Sequence, residues 1–261
     1  MADVQSKLIL PAFFIAAVLS LACGGGETTS ITSPSEEGDL SQTTASRPAS
    51  DKVGVKLSSE PLAKWADPLA QAKARLTSLG WTVDSCEMFK DGGEVYYNCS
   101  ANKGEQWADV DISDLADTQS AEWQAEDNPS ALRDGKRVIE VTVFDGAAGK
   151  VLGELILPPG KKLDTVDMNA ASATFESKGW AIEEVSSSSS SGYTSLELIG
   201  VKGGNVLVFE IDMLEGEPLS RDTRSIEEGM FFVEQADESF LTVAVLDEAQ
   251  GTTLLQAMFG N

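Results

Sequence analysis

Two stretches of the chain repeat one pattern of hydrophobic and polar positions. Leu69, Ala72, Leu76 and Leu79 recur at the three-and-four spacing of a helix with one buried stripe. Asp67 stands where an N-cap belongs, Pro68 fits the first turn, and Gly80 fits the left-handed position that ends a helix. Met168, Ala171 and Phe175 mark the stripe a second time, closed by Gly179. Trp81 and Trp180 follow the two glycines and read as core anchors. Alternation then predicts strands over about 81–90, 94–102 and 106–113, and again over 180–187, 193–201 and 205–212. A last alternating run in each half, ending near Phe144 and Leu246, predicts a fourth strand. The closing segments 147–157 and 249–259 predict helices, the first with Val151, Leu152, Leu155 and Ile156 facing inward. Gly149 and Gly153 leave a second hairpin strand open there. Stretches 116–130 and 215–229 read as irregular or partly helical.

The two patterns correspond in order. Ser78-Leu79-Gly80-Trp81 matches Ser177-Lys178-Gly179-Trp180 at an offset of 99. Ile139, Val141 and Val143 match Leu241, Val243 and Val245 at an offset of 102. This predicts an α+β fold of two tandem two-layer units. Each unit has a helix, an antiparallel three-strand meander, a connection, a strand and a C-terminal helix. Residues 56–160 form the first unit and 161–261 the second, with Pro158-Pro159-Gly160 as punctuation.

Composition narrows the function. The net charge is −23, with 42 acidic and 19 basic residues, and the longest basic runs are pairs. Nucleic acid and anionic headgroups need clustered Lys or Arg and are excluded as partners. A protein or cationic partner fits that charge. There is no histidine. The usual Ser-His and Cys-His nucleophile pairs and most zinc sites go with it.

Cys86 and Cys99 frame the segment CEMFKDGGEVYYNC. A two-residue hairpin loop at Gly92-Gly93 pairs Asp91 with Glu94. Counting outward then sets Cys86 opposite Cys99 in a non-hydrogen-bonded pair, where side chains are closest. The matching positions of the second half are Val185 and Leu198, an apolar pair. The cysteines therefore read as a structural disulfide. Closing that loop is worth about 3 kcal/mol in loop entropy.

Residues 8–22, LILPAFFIAAVLSLA, form an apolar run of 15 residues, too short to span a bilayer. Such a run at the N-terminus is a signal-peptide layout. Leu19-Ser20-Leu21-Ala22-Cys23 resembles a bacterial lipoprotein signal. The resemblance covers about 25 residues and implies acylation of Cys23, cleavage before it, and a membrane tether through the N-terminal lipid. Ser20 and Ala22 also satisfy the small-x-small rule of plain secretion, which would leave Cys23 as an odd exposed thiol in an oxidising compartment. Acylation removes that thiol, and two acyl chains anchor stably where one does not. Residues 1–22 are then the signal peptide. Residues 23–55, rich in Gly, Ser, Thr and Glu, carry the lipid and a flexible tether.

Asp109, Asp111, Asp114 and Asp117 form a carboxylate cluster of the kind a hard-cation site uses. The segment lacks the glycine and closing glutamate of an EF-hand loop, and Asp109 and Asp111 alternate as on a half-solvated strand. No metal, cofactor or catalytic residue is assigned. Asn98-Cys99-Ser100 fits the glycosylation tripeptide, but a disulfide-bonded strand is a poor acceptor. Ser186 to Ser191 reads as a flexible hairpin loop. The expected function is an envelope-anchored, non-enzymatic binding module facing the periplasm or the cell exterior. The alternative is an assembly or secretion chaperone, resembled in element order alone. A hydrolase working through paired carboxylates is a third reading.

Overall fold

In a computed structural model of the protein, the described residues are 67–125, 128 and 130–259. The signal run, Cys23 and the tether lie outside them. The fold mixes five helices with eleven antiparallel strands. Helix α1 (Pro68–Ser78) leads into β1 (Thr82–Asp91), β2 (Glu94–Lys103) and β3 (Gln106–Asp114). Then come α2 (Thr118–Ala125), β4 (Ala131–Asp134), β5 (Arg137–Asp145) and α3 (Gly146–Ile156). The second half follows with α4 (Met168–Ser177), β6 (Ala181–Ser190), β7 (Tyr193–Lys202) and β8 (Asn205–Leu214). It continues with β9 (Thr223–Glu227), β10 (Met230–Ala236), β11 (Ser239–Asp247) and α5 (Glu248–Phe259).

Local chemistry sets these boundaries. The Asp67 carboxylate accepts the Ala70 N–H at 3.0 Å and Asp167 accepts that of Ala170 at 2.8 Å, so each opening helix has its N-cap. Gly80 and Gly179 close the same helices at φ +83° and +87°, a backbone that favours glycine. The Gly92-Gly93 turn pairs Asp91 with Glu94 and, counting outward, Cys86 with Cys99. These two cysteines form the disulfide, with Cα atoms 4.1 Å apart. Val185 faces Leu198 in the second half.

The strands make one sheet whose main path is β1-β2-β3-β5-β11-β8-β7-β6. Read inward from its two edges, the path meets the strands of each half in the same order. β4 pairs with β5, β10 with β11, and β9 with β10. The halves touch through one strand pair at the centre, Phe144 opposite Leu246.

The closing helices cross that junction. α3, which follows β5, packs on β10 and β11, whereas α5, which follows β11, packs on β5 and α1. The core therefore divides in two. Leu76, Trp81, Cys99, Val110 and Val141 pack with Leu254, Leu255 and Met258 of α5. Phe175, Trp180, Leu198, Phe209 and Val243 pack with Leu152 of α3 and Leu157 just beyond it. Trp81 and Trp180 are each 6% exposed, as core anchors require. The Arg75 guanidinium on α1 donates to the Met258 carbonyl on α5, joining the two ends of the described chain.

Some expectations hold and others are corrected. Segment 147–157 is a helix, and its glycines are the reason it fits. A Cβ at Gly149 would stand 2.8 Å from the Val243 carbonyl oxygen, and one at Gly153 would run into the Phe231 ring. The glycine side faces β11, so Val151 and Leu155 do not point inward and are 67% and 40% exposed. Gly251 does the same for α5, where a Cβ would lie 2.8 Å from the Val141 carbonyl oxygen. Ser186 to Ser190 belong to strand β6, and the loop is only Ser191-Gly192. Stretch 116–130 is partly helical as expected, through α2, whereas stretch 215–229 holds strand β9, and β4 and β10 are strands that the alternation does not announce.

Candidate functional site

The helices α1, α3, α4 and α5 cover one face of the sheet. The opposite face takes every second residue of each strand, and there the chain places carboxylates. In the first half a cross-strand row runs Glu87, Asn98, Asp111, Glu140. The neighbouring row runs Ser100, Asp109, Thr142. Three of the acids in these rows, Asp109, Asp111 and Glu140, have donors. Asn98 Nδ2 donates to Asp111 at 2.8 Å. Ser100 Oγ and Trp107 Nε1 donate to Asp109 at 2.6 and 3.2 Å. Gln124 of α2 and Asn128 donate to the two oxygens of Glu140 at 2.6 and 2.9 Å.

None of these donors is charged, and Asp109 and Asp111 are pushed up. Burial raises Asp109 to about 6 against opposing bonds from Ser100 and Trp107. Burial, then the Asp109 charge, raises Asp111 to about 7. The two remaining aspartates of the sequence cluster point elsewhere. Asp114 takes a two-pronged ion pair from Arg137, at 2.5 and 2.7 Å. Asp117 accepts the Ser120 N–H at 2.8 Å at the start of α2. Among the described residues no three Asp, Glu or Cys side chains converge as a metal-ligand set. Asn98, the glycosylation candidate, is half-buried and committed to Asp111.

The second half repeats the geometry with different chemistry. Its row runs Ser186, Glu197, Glu210, Thr242. Glu197 is the fifth residue of β7, as Asn98 is of β2. Glu210 is the sixth of β8, as Asp111 is of β3. A glutamate thus replaces the amide that served Asp111. The segment after β8 forms no helix, so nothing takes the place of Gln124. Two carboxylates stand directly opposite each other on adjacent strands, an unfavourable pairing. Burial, followed by the charges of Asp212 and Glu197, raises Glu210 to about 7. Burial and then Glu184 raise Glu197 as well. Tyr193 is held above its ordinary range by burial and by its hydrogen bond to Asp212. β6, β8 and β11 contain no Lys or Arg, and the one cation of β7, Lys202, donates to the Lys178 carbonyl at 2.7 Å. Thr242, opposite Glu210, is 8% exposed, and its hydroxyl has no hydrogen-bond partner.

Sequence reasoning singled out Asp109 and Asp111 but not Glu197, Glu210 or Thr242. The first pair was legible. The Gly203-Gly204 turn sets Lys202 opposite Asn205, and counting outward sets Glu197 opposite Glu210. Thr242 joins them only through the β8–β11 pairing, which no local signal announces.

A pocket of about 240 Å³ opens between the β2–β3 and β9–β10 turns, lined by Glu105, Gln106, Trp107, Ile226, Glu228 and Gly229. No family model matches the chain, and no curated protein sequence and no solved structure is significantly similar to it. Among the described residues no helix is long and apolar enough to cross a membrane.

Proposed function

We propose that the protein is a lipid-anchored binding module of the bacterial cell envelope that takes a cationic partner on the open face of its sheet. One observation carries this reading. The β7–β8 row sets Glu197 against Glu210 with no cation of its own strands to compensate. Like charges directly opposite destabilise a sheet. A partner that brings positive charge relieves that repulsion on binding, and it gains desolvated contacts worth more than surface pairs. The two halves are read as copies of one unit, and the second copy, whose row carries a single long bond from Ser186 to Glu197, is the one free to bind.

The anchor rests on the signal run and on cysteine arithmetic. The Cys86–Cys99 bond leaves Cys23 as the odd thiol. Intact mass of membrane-extracted protein is expected to show a diacyl or triacyl adduct on a chain beginning at Cys23. An unmodified, freely soluble mature chain would refute the anchor.

Binding is tested with a lysine-rich peptide and the full chain. Glu197→Gln with Glu210→Gln should weaken binding at least tenfold. Glu154→Gln with Glu176→Gln, on the helix layer, changes the charge equally and should weaken it far less. Equal losses would reduce the interaction to net charge. The chaperone reading draws on a different observation, the exposed Val151 and Leu155 one turn apart on α3. Binding that resists salt and depends on those two side chains would favour it instead.

A further inference from the structure

We infer that Glu210, Glu197 and Thr242 form a site for a primary ammonium group. This rests on the reading of the open face as a binding surface and names the chemistry that the second half selects. Two independent observations meet here. The first is the opposed pair Glu197 and Glu210, to which the row supplies one long bond, Ser186 Oγ donating to Glu197 at 3.4 Å. The second is the Thr242 hydroxyl, set opposite Glu210 on β11, more than nine-tenths buried and without a partner. A buried hydroxyl left unpaired costs about 1–3 kcal/mol, and valine would fill the same space without that cost. The chain keeps an acceptor where the fold gains nothing from it.

The corresponding row of the first half shows what the site lacks. There Asn98, Gln124 and Asn128 supply N–H donors to Asp111 and Glu140. In the second half those donors must come from outside. The acceptors lie on three adjacent strands, about 4.8 Å apart from one to the next. An ammonium carries three rotatable donors on a compact charge and can bond the Glu210 and Glu197 carboxylates and the Thr242 hydroxyl together. A guanidinium fork is planar and matches one carboxylate at a time. A divalent ion needs six or more converging oxygens, and no three carboxylates form such a set among the described residues.

Among the described residues the ionisable groups around Glu210 are all acids. Glu197 and Tyr193 project from β7, Asp212 lies on β8 itself, and Glu184 approaches from β6. Glu238 adds its charge near Tyr193 from the β10–β11 turn. In the free protein Glu210 therefore keeps its proton toward neutral pH and shares it with Asp212. An ammonium entering the site displaces that proton into solvent. Binding and proton release are one event, and the release is the signature.

The experiment is calorimetric titration of the full chain with N-acetyl-lysine methylamide near pH 6, in buffers of different ionisation enthalpy. The norleucine analogue, which lacks the ammonium, is the control, and a lysine-bearing peptide is the second arm. The expected result is binding of the lysine compound alone, with heats that vary with the buffer. Glu210→Gln, which mimics the protonated residue and keeps the fold, should abolish the buffer dependence and weaken binding at least tenfold. Thr242→Val should weaken binding about tenfold while raising the melting temperature of the free protein. Binding of the peptide but not of the small amide, with the same dependence on Glu210 and Thr242, upholds the site and assigns the ammonium to a macromolecule. Binding unaffected by either substitution overturns the site but leaves the cationic-partner reading standing. Failure of both the amide and the peptide to bind overturns both.

Discussion

Valine at Gly149, or at Gly251, is expected to destabilise the fold by about 3 kcal/mol, near the upper end for overpacking a tight contact. That is a large share of the stability of an ordinary domain. The reason is contact with backbone, which cannot move aside as a side chain can. A Cβ at Gly149 meets the Val243 carbonyl and one at Gly251 meets the Val141 carbonyl, each at 2.8 Å. Either substitution must lift a closing helix off the strand beneath it. Lifting α3 exposes Leu152 and Phe231, and lifting α5 exposes Leu254 and Met258. Because the helices are exchanged, damage to α3 should loosen the second half and damage to α5 the first. Urea denaturation of variants that keep only Trp81 or only Trp180 of the five tryptophans, followed by fluorescence, separates these outcomes, since Trp180 lies in one core and Trp81 in the other. Val151→Ala on the solvent side of α3 should leave the midpoint within about 0.5 kcal/mol. A midpoint unmoved by Gly149→Val would mean that α3 does not lie on β11.

Stability is expected to fall as pH rises from about 4.5 to about 7.5, opposite to the behaviour of a protein held by carboxylate ion pairs. Asp109, Asp111 and Glu210 have ordinary values of 3.8, 3.8 and 4.5, and the fold raises them to about 6, 7 and 7. A raised acid binds its proton more tightly in the folded state. Below the ordinary value both states are protonated and there is no penalty. Between the ordinary and raised values the unfolded chain loses its proton first, so stability declines, and above the raised value the full penalty is present. Each such group contributes at most about 1.4 kcal/mol per pH unit across its window. Glu94, Asp117 and Asp222 are shifted the other way by hydrogen bonds and, for Asp222, by Arg224. Their contribution is lost only below their ordinary values, so it does not oppose the decline. Self-repulsion of a chain at −23 acts in the same direction. Urea midpoints measured across this range should drop by an amount worth a few kcal/mol. Flat or rising midpoints would show that these carboxylates ionise freely.

What the sequence made legible was local. The Asp67 N-cap, the glycines at the ends of α1 and α4, and the Cys86–Cys99 register each follow from a few adjacent residues and appear as read. Features set by contacts distant in sequence were not legible. Gly149 and Gly153 look like weak helix formers until the carbonyl and ring they lie against are known. The serine run of β6 lacks β-branched residues and hydrophobic alternation, yet five residue pairs with β7 hold it in the sheet. β10 carries a clear apolar signal in Met230, Phe231, Phe232 and Val233, which was missed because the repeat pattern offered no counterpart for it. The functional row shows both cases at once. Glu197 and Glu210 follow from hairpin counting, whereas Thr242 is brought to them from about thirty residues away.

The most direct test of the functional account is the titration of individual side-chain carboxyls by NMR in the full chain, with and without a saturating lysine-bearing peptide. The account expects Glu210 and Asp111 both to titrate near 7 in the free protein, against ordinary values of 4.5 and 3.8. It expects the peptide to bring Glu210 down sharply while Asp111, already bonded to Asn98, stays where it is. A Glu210 that titrates near 4.5 without the peptide, or that does not respond to it, would contradict the account.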